Sequence, residues 1–148
     1  MMLYECGVRY ERTMVNGMTK KVTELYLVDA LSFAEAEGRI TNEMEPYISG
    51  EFDVVTIKRT NISEIVEGLS TADKWFKAKL MYITIDEKTG KEKKQAVHFI
   101  VRASDINNAH ICVVEHMKGS VMDYEIATLD ETKIMDLFRY KVNTSDNG

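Results

Sequence analysis

The chain has 148 residues, 45% of them hydrophobic and 29% charged. That excludes a disordered protein and is enough to bury a core without disulfide or metal staples. Its net charge of −5 excludes a general nucleic-acid binder, which needs a basic footprint. Met1 to Cys6 has neither the basic nor the apolar region of a signal peptide, and no apolar run approaches the length of a membrane span. The expectation is a cytoplasmic protein in which Cys6 and Cys112, far apart and unpaired in spacing, are reduced thiols.

Tyr4, Cys6, Val8 and Tyr10 alternate with polar residues, the period of a strand with one buried face. Val15-Asn16-Gly17 marks a tight turn, because Asn-Gly tolerates positive φ. Val22 to Ala30 returns as a second strand. Ser32-Phe33-Ala34-Glu35 has the form of a capping box, and Phe33, Ala36, Ile40 and Met44 recur at the spacing of one helical face. Pro46 ends the helix near Glu45. Phe52 to Lys58 is read as a third strand, turning at Arg59-Thr60-Asn61 into a fourth, Ile62 to Val66.

The second half repeats this order at an offset of 72 to 73. Phe76 to Tyr82 matches Tyr4 to Tyr10, Lys88-Thr89-Gly90-Lys91 is the second hairpin loop, and Gln95 to Ala103 matches Val22 to Ala30. Asp105 takes the cap position, and Ile106, Ala109, Val113 and Met117 form the second stripe, with Gly119 as an expected left-handed cap. Asp123 to Leu129 and Lys133 to Phe138 close the unit. The chain therefore reads as a single α+β domain, 1–148, made by internal duplication of a ββαββ unit, mainly antiparallel with one helix per repeat. Repeat one is 3–67, the linker 68–74, repeat two 75–140, and 143–148 a disordered tail.

The segments Glu24 to Glu37 and Asp53 to Val66 resemble an uncharacterised domain-of-unknown-function family of about this length, found in gut bacteria and their phages. The resemblance implies a small cytoplasmic or phage-encoded protein and brings no catalytic residues with it.

Chemistry is sparse. Cys112 and His116 are spaced to share an ion on the second helix, but their counterparts in repeat one, Arg39 and Glu43, are solvent-type residues, as is Glu37 opposite His110. No metal or cofactor is expected. Cys6 alternates with core residues and matches Ala78, which reads as a small buried hydrophobe. Gly17 and Gly90 are isolated hairpin glycines rather than a phosphate loop.

The sheet face away from the helices is more informative. It mixes Leu25, Leu27, Met81, Ile83 and Ile100, expected as an interface, with Arg9, Lys79, His98 and Arg102. These four, with Trp75 at the junction of the repeats, are the candidate residues for an anionic ligand. Residues 1–74 hold eight Lys and Arg against 13 Asp and Glu, whereas residues 75–148 hold eleven of each, which leaves room for a local basic patch in the second half. The reading is a non-catalytic binding protein that self-associates as a homodimer. The alternative is a phage-type sponge that sequesters an anionic nucleotide signal, and an enzyme of unknown class ranks third.

Overall fold

The computed structural model describes residues 1–68 and 71–140. Leu69 and Ser70 of the expected linker, and the expected tail 143–148, lie outside the described residues. The elements follow in the order β1 (Leu3–Thr13), β2 (Thr19–Asp29), α1 (Phe33–Met44), β3 (Phe52–Arg59) and β4 (Ile62–Glu67), then β5 (Lys74–Ile85), β6 (Glu92–Ala103), α2 (Ile106–Met117), β7 (Asp123–Glu131) and β8 (Ile134–Phe138). The ββαββ order thus occurs twice, and the fold is α+β with two four-stranded mixed sheets, each carrying one helix.

Each hairpin is longer than the alternating core because its arms continue into solvent. Gly17 and Gly90 close the two loops with φ of 81° and 70°, the left-handed conformation expected of them. Ser32 accepts from the Glu35 backbone N–H at 3.1 Å and Asp105 from that of Asn108 at 2.7 Å, so both N-caps form. The reciprocal half of the capping box does not, since Glu35 Oε1 is buried without a hydrogen-bond partner. Gly119 lacks the positive φ of a left-handed cap. Helix α2 instead closes with Lys118 in right-handed geometry, its N–H donating to Glu115 O.

The stripes pack as the periodicity predicts, with one correction shared by both helices. Ala36, Ile40 and Met44, and likewise Ala109, Val113 and Met117, are buried, but Phe33 and Ile106 are 53% and 47% exposed. Each sits in the first turn, and the Phe33 ring reaches only the edge of Tyr4, 5.0 Å between centroids.

The larger correction concerns the fourth strands. The sheets run β3-β1-β2-β8 and β4-β6-β5-β7. Strand β4 therefore does not fold back on β3 as a hairpin. It pairs parallel with β6, while β8 pairs parallel with β2. Two-residue hairpins need positive φ at their central residues, and no described non-glycine residue has it. Thr60 is held by Leu3 O, which accepts from both its N–H at 2.9 Å and its hydroxyl at 2.8 Å. Thr132 makes the same pair of bonds to Trp75 O. The chain forms two compact units: unit 1 is Met1–Thr60 with the segment beginning at Ile134, and unit 2 is Asn61–Lys133.

Each unit has its own core. In unit 1, Tyr4, Cys6, Val8, Tyr26 and Val28 pack beneath Ala36, Ile40 and Met44, with Phe138 of β8 against them. In unit 2, Phe76, Ala78, Leu80, Phe99 and Val101 pack beneath Ala109, Val113 and Met117, with Val66 of β4.

Candidate binding surfaces

Strand register puts four of the five expected ligand residues on one face of the unit 2 sheet. Trp75 stands opposite Arg102 and Lys79 opposite His98, with Lys77 and Ile100 between them. Arg9 lies in unit 1, opposite Asp53 on β3, and lines a surface hollow with Tyr10, Lys21 and Glu51.

Within the face of unit 2 the residues divide in two. Trp75 is 2% exposed, and the Arg102 guanidinium carbon lies 5.6 Å from its ring centroid. Arg102 Nε also donates to Ala72 O at 2.6 Å. This cation is engaged with the start of its own sheet. Lys77, Lys79 and His98 are different. Neither lysine has a carboxylate within ion-pair distance among the described residues, and Asp130 stands in register opposite Lys77 without pairing. Burial, then Lys77 and Lys79, push the His98 pKa down from its ordinary value. Its Nδ1 is buried with no hydrogen-bond partner among the described residues.

The expected interface residues also divide. Leu27 and Ile100 are each 1% exposed, while Leu25, Met81 and Ile83 are half-buried. Cys6 is buried and Cys112 half-buried; burial raises both thiols, which disfavours the reactive thiolate. His116 Nε2 lies 3.4 Å from Glu64 and its ring meets Phe99 edge-on at 5.5 Å, so it is tied to β4 and β6. Among the described residues no three His, Cys, Asp or Glu side chains are placed to hold a metal ion, and no helix is long and apolar enough to cross a membrane.

A second concavity was not foreseen. In unit 1 a hollow of about 270 Å³ is lined by Tyr10, Glu24, Tyr26, Tyr47, Asp136 and Phe138, with Met44, Ile48 and Met135. It exists because the sheet outruns its helix: 12 helical residues span about 18 Å, whereas 11 strand residues reach about 36 Å. The Tyr10 and Tyr26 hydroxyls both donate to Glu24 Oε1, at 2.7 and 3.3 Å. Burial and Glu24 raise both phenols above their ordinary value, which keeps them neutral donors. The signal was present in the repeat comparison: Glu24 stands where repeat two has Val97, and Tyr47 where it has Ser120. A carboxylate at a core-type position is the departure that mattered.

Curated proteins gave no sequence match. Residues 2–140 match the family described as domain of unknown function DUF4494, and the chain belongs to that family.

Proposed function

We propose that the protein is a non-catalytic, cytoplasmic binding protein whose partner is anionic and is engaged on the unit 2 sheet face. The supporting observation is the crowding of Lys77, Lys79 and His98 with no acidic partner among the described residues, around an imidazole nitrogen that has no hydrogen bond to them. Like charges on one face repel, and an anion relieves the repulsion while giving His98 a reason to protonate. A small nucleotide signal fits this chemistry, and the resemblance to a family of gut bacteria and their phages supports a sponge that sequesters it without turnover.

The second reading is self-association as a homodimer. It is favoured by the half-buried apolar residues Met81 and Ile83 on the unit 2 sheet face, the kind of surface that marks contact sites when continuous.

Mass spectrometry of purified, denatured protein tests the first reading. A retained nucleotide that disappears in Lys77→Ala/Lys79→Ala, with the melting temperature of ligand-free protein unchanged, supports it. Light scattering on Met81→Glu/Ile83→Glu tests the second, which expects a halved mass. Wild-type protein that retains no anion and runs as a monomer overturns both.

A further inference from the structure

The duplication supplies an internal comparison for the hollow in unit 1. At the corresponding place in unit 2, the carboxylate of Glu64 has an imidazole beside it: His116 Nε2 lies 3.4 Å away and its ring packs on Phe99. The counterparts in unit 1 are Asp136 for Glu64, Tyr26 for Phe99 and Glu43 for His116. The ring and the acid are kept, but the helix position that provides the imidazole holds a carboxylate, Glu43. A further acid, Glu24, replaces Val97 and gathers two tyrosine hydroxyls on one oxygen. Its second oxygen has no protein partner among the described residues. Among the described residues no Lys, Arg or His lines the hollow.

We propose that this hollow binds a small alkylated ammonium compound, held by the carboxylates of Glu24 and Asp136 and by the ring faces of Tyr10, Tyr26 and Phe138. Aromatic faces attract cations through their quadrupole, most strongly where water is displaced. Tyr26 and Phe138 are stacked, 5.8 Å between centroids and 20° apart, which makes one continuous wall. The Tyr10 and Tyr26 hydroxyls are committed to Glu24, so those two rings offer surface rather than free polar groups. An ammonium shielded by methyl groups needs no more than that, whereas a guanidinium needs a planar array of acceptors. A volume of about 270 Å³ suits a head group rather than a nucleotide. The site lies in unit 1, shares no residue with the anionic reading, and stands or falls independently of it.

Choline chloride is the probe, titrated against sodium chloride at matched ionic strength into full-length protein carrying carbon-13 methionine methyls. Met44 and Met135 line the hollow, and Met117, the counterpart of Met44 in unit 2, is the internal control. The expected result is a saturable shift at Met44 and Met135 but not at Met117. Glu24→Gln and, separately, Asp136→Asn should each weaken choline about tenfold, the scale of one desolvated cation contact. Lys77→Ala/Lys79→Ala should leave the titration unchanged. No saturable shift in wild type, wild-type affinity in both carboxamide variants, or preference for ethylguanidinium over choline would each overturn the proposal.

Discussion

Gly7 shows how closely the unit 1 sheet packs at one point. A Cβ there would collide with Thr56 Oγ1 on the neighbouring strand, yet repeat two carries Lys79 at the same place, opposite Thr128. The obstacle is therefore the Thr56 hydroxyl rather than the backbone. Gly7→Ala should cost about 1–3 kcal/mol as an overpacking change, and Gly7→Ala/Thr56→Ala should recover most of it in a double-mutant cycle of urea melts. Cys6 carries a pH dependence. Burial, with Glu5 adding to it, raises its thiol from 9.0 to about 11, so the folded chain favours the neutral form. That contribution is complete below pH 9 and is lost as the pH rises through about 11. Urea midpoints should fall across this window, and less steeply in Cys6→Ala, the residue that repeat two already has at position 78. Arg39, expected as a plain solvent-flank residue, donates to Arg139 O at 2.7 Å and lies 4.9 Å from the Tyr140 ring centroid. Arg39→Ala should therefore cost about 1 kcal/mol in the same melts, where a change within noise would show that these contacts are idle.

At the scale of elements, what was legible followed from local rules. Alternation gave the strands, the stripes Ala36-Ile40-Met44 and Ala109-Val113-Met117 gave the helices, and Ser32 and Asp105 gave their starts. The pairing of β4 and β8 was not legible, because alternation states which face of a strand is buried and not which sheet buries it. Ile62-Ile65-Val66 and Ile134-Leu137-Phe138 have the same pattern and fit either sheet. The available hint was the turn chemistry: Arg59-Thr60-Asn61 and Glu131-Thr132-Lys133 contain no glycine to close a tight hairpin. The hollow in unit 1 was missed for a related reason, since Tyr10, Glu24 and Tyr47 are far apart in sequence and Phe138 reaches them only through the exchanged strand. Phe138→Ala tests the exchange directly. It should cost about 3 kcal/mol and speed hydrogen exchange in Thr19–Asp29 and Phe33–Met44. Faster exchange in Ile106–Met117 instead would place β8 in the sheet of its own repeat.

At the scale of the whole molecule, the reciprocal placement of β4 and β8 has the topology of a strand-swapped dimer joined into one chain. Each repeat supplies three strands and a helix to one sheet and a fourth strand to the other. A single repeat therefore cannot complete its own sheet: residues 1–74 contain β1, β2, α1, β3 and β4, but the place beside β2 belongs to β8. Left empty, it leaves an unpaired strand edge beside Tyr26, and unpaired edges recruit strands from other chains. The nearest substitute is β4 of a second copy, which matches β8 at Ile62, Ile65 and Val66. The fragment 1–74 should accordingly form a homodimer by exchanging β4, the closed two-fold solution for a self-complementary element. Asn61–Lys133, by contrast, contains every strand of its sheet in one continuous segment and should fold with a single cooperative transition and no need of exchange. Light scattering coupled to gel filtration separates the outcomes. A folded monomer of 1–74 would mean that β4 can return to its own sheet, and the strand exchange would then be a consequence of the linker rather than of the repeat itself.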